Sequence, residues 1–90
     1  MRKLSLEYIG HVSAITNRLA EEYNTKAVSL RDLVEELEQR YRGFRQVFID
    51  HTTGQLNLNA MIYYASPGEL PSAILNLDQP VHDGSRVTFW

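Results

Sequence analysis

Ninety residues with 43% hydrophobic and 22% charged side chains describe one folded domain, since a disordered chain needs few apolar residues and a high net charge, and here that charge is only −2. A chain meant to lie on phosphate backbones would be expected to be strongly basic, so nucleic acid is not the expected partner. With no cysteine there is no disulfide framework, no thiolate metal site and no cysteine nucleophile.

Met1 to Glu7 lack the roughly 7–15-residue apolar stretch of a signal peptide, and nothing approaches the ~20 apolar residues of a membrane span, so a cytoplasmic, membrane-free protein is expected. Leu4, Leu6 and Tyr8 alternate with Lys3, Ser5 and Glu7, which predicts a half-buried strand ending near Gly10. Residues 11–27 admit two readings. A loop followed by a strand over about Arg18 to Lys26 is preferred here, while Ile15, Leu19, Ala20 and Tyr23 also fit a helical stripe.

Next comes the clearest element. Ser29 is a good N-cap, Asp32 sits near the positive end of the helix dipole, and Leu30, Leu33, Val34, Leu37 and Tyr41 recur at helical spacing. A helix from about Leu30 to Tyr41 follows, stopped by Gly43. Its polar face offers Arg31/Glu35 and Glu38/Arg42 at the four-residue spacing where opposite charges meet. Phe44 to Asp50 holds a short apolar run, and His51-Thr52-Thr53-Gly54 reads as a turn. Met61 to Tyr64 predicts a central strand, broken by Ser66-Pro67-Gly68. A connection over Glu69 to Gln79 leads to the Asp83-Gly84 turn and a last strand, Ser85 to Phe89.

This order, with one main helix between strand pairs, suits an α+β roll in which a mixed sheet packs on that helix. Leu77 to Phe89, with its Asp-Gly turn before a hydrophobic strand, resembles the closing motif of the ubiquitin-like sulfur carriers, the family of the molybdopterin synthase small subunit and the thiamine sulfur carrier. Ser29 to Leu37 looks like their single helix. The resemblance implies a single ubiquitin-like β-grasp domain over residues 1–90. It also implies chemistry: those carriers end in a mobile Gly-Gly whose carboxylate is adenylated by an activating enzyme and converted to a thiocarboxylate. The sequence ends instead at Phe89-Trp90, and a bulky indole is ill suited to a channel that only glycine backbone can thread.

Other candidate sites are weaker. His11, His51 and His82 are too far apart to form a short-spaced ligand pair, so neither a metal nor another cofactor is expected. Asp50-His51 has no nucleophile beside it, and Glu35-Glu36 reads as a solvated helix face. Arg40, Arg42 and Arg45, with Tyr41 and Phe44 between them, form a basic aromatic patch whose cations the helix C-terminus already favours.

No catalytic residues are therefore expected. Tyr63 and Tyr64 must face opposite sides of their strand, and the exposed one, together with Phe89 or Trp90, is expected to build an apolar patch on the outer sheet face. Tyr63, Tyr64, Phe89 and Trp90 are thus the candidate protein-binding residues. In ubiquitin-like folds that face is the habitual docking surface, and the resemblance implies an adenylating enzyme or a larger enzyme subunit as partner. The expected role is a non-catalytic interaction module related to the sulfur carriers. Its alternatives are a genuine carrier for molybdopterin, thiamine or thiolation pathways, and a small accessory subunit of an oxygenase-type assembly.

Overall fold

The computed structural model describes residues 1–90. The first strand, β1 (Arg2–Tyr8), turns through a short helix, α1 (Val12–Thr16), into β2 (Ala20–Thr25). The main helix, α2 (Leu30–Arg40), is followed at once by α3 (Phe44–Phe48), and β3 (Ile62–Ala65), β4 (Ser72–Ala73) and β5 (Arg86–Phe89) complete the chain. The strands form one sheet in the order β2-β1-β5-β3-β4. All pairings are antiparallel except β1 with β5, so the mixed sheet expected from the sequence is present.

Alternation decides what each strand buries. Leu4, Leu6 and Tyr8 of β1, Ile62 and Tyr64 of β3, and Val87 and Phe89 of β5 point inward to join Leu30, Leu33, Val34 and Leu37 of α2 in one core cluster. The strand reading of residues 18–26 is correct, with β2 antiparallel to β1 from Arg2↔Thr25 to Glu7↔Ala20. The expected loop before it contains α1 instead, which buries Val12 and Thr16. The apolar run at Phe44 is likewise a helix, and Phe44 and Phe48 are its buried side. Gly43 separates the two helices with φ of 94°, a conformation that costs a glycine little.

Helix α2 starts and stops for identifiable reasons. The Ser29 hydroxyl accepts from the Asp32 N–H at 3.2 Å, while the Leu30 and Arg31 N–H groups donate to Gln79 O and Leu77 O. Three of its otherwise unpaired N-terminal donors are thereby satisfied. The expected four-residue ion pairs along the helix do not form. Arg31 reaches out of the helix to Asp78 (3.1 Å) and to the Gly54 carbonyl, and Glu35 pairs with Arg45 of α3 at 2.7 Å. Glu38 accepts from the N–H groups of Gly43 and Arg45, because the free donors at the start of α3 offer it more than a mobile surface arginine does.

The cap carries a prediction: Ser29→Ala should lower the stability of the domain by about 1 kcal/mol, read as an earlier urea midpoint, whereas Ser29→Thr should keep most of it. An unchanged midpoint in Ser29→Ala would show that the Gln79 and Leu77 carbonyls hold the helix start on their own.

Candidate functional site: the outer sheet face

No helix shields the other face of the sheet. There the strands show Ser5 and Glu7 of β1, Arg86 and Thr88 of β5, and Tyr63 of β3. Trp90 follows β5 and extends its ladder, its N–H donating to Met61 O at 2.9 Å. The Trp90 and Tyr63 rings meet edge to face with centroids 6.5 Å apart, and the Tyr63 hydroxyl lies 3.7 Å from the Met61 sulfur. Trp90 remains half exposed at 50% and Met61 at 42%. Ala73 pairs with Tyr63 across β3–β4 and shares its face, and Leu75, two positions further on, is 88% exposed.

Beside this aromatic pair, an apolar cleft of about 280 Å³ lies between the Leu56–Ile62 segment and Ala73–Leu75, with Leu58 standing fully exposed on its rim. Charge is sparse nearby. Glu7 is occupied by the Thr88 hydroxyl at 3.0 Å, and Arg86 takes part in none of the four ion pairs of the fold.

Two of the four expected binding residues belong elsewhere. Phe89 is wholly buried, stacked on Tyr8 at 5.9 Å and edge-on to Phe44 and Phe48 at 5.0 and 5.1 Å. Tyr64 is 5% exposed; its hydroxyl bonds Ser85 Oγ at 2.8 Å and accepts the His82 N–H at 2.8 Å, pinning the closing turn to β3. Both are core residues because strict alternation gives them the parity of Ile62 and Val87. The surface that remains is built on Tyr63 and Trp90, joined by Met61, Ala73 and Leu75, none of which was singled out from the sequence.

The remaining candidates dissolve into structure. Arg40 lies over the rings of Tyr23 and Tyr41 and reaches Glu21 at 3.5 Å, and Arg45 pairs with Glu35, so two of the patch's three arginines are spent internally and Arg42 alone stays exposed. Asp50 accepts the N–H groups of Thr52 and Thr53, bonds that hold its carboxyl below the usual range and tie it to its own turn rather than to His51. His11, His51 and His82 are exposed and enter no cluster of three possible metal ligands.

At one end of the sheet, Glu21 accepts from the hydroxyls of Tyr8 (2.6 Å) and Tyr41 (2.7 Å) and pairs with Arg18 at 3.2 Å. Close by, Glu36 takes the hydroxyls of Tyr23 (3.1 Å) and Thr25 (2.6 Å). Every carboxylate in this network has its partners, which is the mark of a structural element.

Comparison with known proteins follows from this geometry. No protein-family model matches the chain, and no curated protein matches it in sequence. Solved structures do. A chain of the Amycolatopsis orientalis BexX/CysO complex superimposes with a TM-score of 0.77 at 13% identity, over 97% of this chain and 92% of that one. A Pyrococcus furiosus protein assigned as molybdopterin converting factor subunit 1 gives 0.69 at 20% identity, over 99% and 95%. This is the ubiquitin-like β-grasp fold. SAMP1 from Haloferax volcanii shares the β-grasp as well, at a TM-score of 0.68 and 14% identity, over 98% and 92%. The likeness to the ubiquitin-like sulfur carriers, drawn from the closing motif and the single main helix, is thus matched in fold. No helix of this β-grasp domain is long and apolar enough to cross a membrane.

The tyrosine network makes the stability pH-dependent. Burial, reinforced by Glu36, raises the Tyr23 phenol from 10.0 to about 12, and burial with the Glu21 hydrogen bond holds Tyr8 higher still. Tyr41 is raised for the same reasons. Above 10.0 the unfolded chain loses phenolic protons that the folded chain retains, so the contribution is complete below that value and is lost as pH rises toward and through about 12. The urea midpoint should therefore fall between about pH 9 and about pH 11, and fall less steeply in Tyr23→Phe. A midpoint constant across that window would contradict the network.

Proposed function

We propose that this protein is a non-catalytic interaction module of the ubiquitin-like fold, which docks a protein partner through the outer sheet face around Tyr63 and Trp90. The observation that carries this reading is the Tyr63–Trp90 pair beside exposed Met61 and Leu75, on the side of the sheet that no helix covers. Aromatic anchors in such a setting are typical binding hot spots, and an apolar cluster with a polar border is the usual anatomy of an interface. Trp90 defines the partner's matching feature, an apolar hollow able to take an indole.

The BexX/CysO neighbour was crystallised as a complex, which supports a protein as the occupant. An adenylating enzyme or a larger enzyme subunit is the partner class this reading favours, with the cytoplasm as its setting. A second reading has its own support in the neighbours assigned as a molybdopterin converting factor subunit and a small archaeal modifier protein: that the protein is itself a carrier or modifier. That reading needs a Gly-Gly carboxylate to follow Trp90. A thiocarboxylate mass on protein purified from its native source would establish it.

The docking reading is tested with a photo-crosslinking residue placed at Tyr63 and, as a control, at Gln39 on the exposed side of α2. The protein joined only through position 63 is then purified and titrated. Tyr63→Ala and Trp90→Ala should each weaken its binding by about 30-fold, roughly 2 kcal/mol, while Gln39→Ala leaves it unchanged. Equal capture at both positions, or full affinity in both aromatic variants, would overturn the docking site.

A further inference from the structure

The two edges of the sheet are treated differently. Strand β2 is flanked and occupied by charge, with Arg18, Glu21, Glu22 and Lys26, the usual protection of an exposed edge. The β4 edge has none: from Leu70 to Leu77 no residue is charged. The Ile74 N–H donates to Ile62 O at 2.9 Å, which makes 62/74 a bonded pair of the ladder and 63/73 an open one. The N–H and C=O of Ala73 therefore point away from β3, and neither they, the Leu75 N–H nor the Pro71 C=O has a backbone partner.

From this edge we infer that the protein self-associates, two copies pairing their β4 strands antiparallel across a twofold axis at Ala73 to join both sheets into one. The inference does not depend on which protein docks on the outer face. What favours a second copy over any other strand is reciprocity. With Ala73 facing Ala73, each donates to the other, and each Leu75 N–H meets the other copy's Pro71 carbonyl. The same register sets Leu70 of one copy opposite Asn76 of the other and diagonal to its half-buried Ile74, which borders the open apolar cleft. Leu70 is 88% exposed and has no place in its own core. One stranded leucine and one half-covered isoleucine on the same molecule thus serve each other twice, as an isologous interface requires.

Charge permits this pairing, because no like charges face each other along the uncharged segment. Its strength is limited. Pro71 donates nothing, the strand is short, and the contact is smaller than a standard stable interface, so the dimer belongs to the weak, concentration-dependent class.

Sedimentation of the full chain from micromolar to near-millimolar concentration tests it, with amide exchange recorded at Ala73 and Leu75. The wild type should shift toward twice the monomer mass as both amides slow. Leu70→Glu and Leu75→Lys, each at an exposed position, should each weaken association about ten-fold or more while leaving the circular dichroism unchanged. Mixing Leu70→Glu with Asn76→Lys should restore it, because Glu at 70 in one copy then faces Lys at 76, also an exposed position, in the other. A wild type that stays monomeric throughout, variants that dimerise as the wild type does, or no recovery on mixing would each overturn the inference. So would a dimer lost in Tyr63→Ala but kept in Leu70→Glu, which would move the contact to the outer face.

Discussion

The structure turns on where the last strand goes. β5 lies between β1 and β3, parallel to one and antiparallel to the other, so the sheet has no middle until the C-terminal residues are in place. Phe89 is the reason this insertion is stable: its ring contacts Tyr8 from β1 and Phe44 and Phe48 from α3, joining sheet and helices in a single aromatic cluster. The outer face is a consequence. With Phe89 committed to the core, the pleat sends Thr88 and Trp90 outward, and the ladder to β3 brings Trp90 beside Met61 and Tyr63.

Both ends of the strand arrangement are locked by polar contacts. At one end, Asp83 accepts the Lys3 N–H at 2.7 Å, and the Gly84 N–H returns to Lys3 O at 2.8 Å, while Tyr64 holds the same turn through Ser85 and His82. At the other, Glu21 ties Tyr8 of β1 and Tyr41 at the end of α2 to β2. A surface carried on strands held this way is pre-organised, so a partner loses little ordering entropy on docking.

Much of this was legible in the sequence, for physical reasons that differ by element. The Ser29 cap and the stripe Leu30, Leu33, Val34, Leu37 are local signals, and α2 lies where they put it. The Asp83-Gly84 turn is local too, since Gly84 takes φ of 83°, and Asp83 bonds backbone as its type predicts. Helices α1 and α3 have five residues each, too few to show a period, so Val12 and Phe44 reveal their helical state only through the core they enter. β4 is shorter still, and Ser72-Ala73 becomes a strand by pairing with β3 rather than by propensity.

The site was half legible. Alternation separates Tyr63 from Tyr64 but does not say which is inside; the hydroxyl partners of Tyr64 decide that, and they lie far along the chain. Phe89 was within reach, because Val87 shares its parity while Arg86 and Thr88 share that of Trp90, so Phe89 and Trp90 cannot lie on one face. The most direct check uses Trp90, the only tryptophan, whose indole N–H gives a single assignable signal. Titrating isotopically labelled protein with its purified partner while following that signal and the backbone amides should move Trp90, Met61, Tyr63 and Arg86 most. Shifts concentrated instead on the exposed side of α2, around Glu35 and Gln39, with the indole unmoved, would contradict the assignment of function to the outer sheet face.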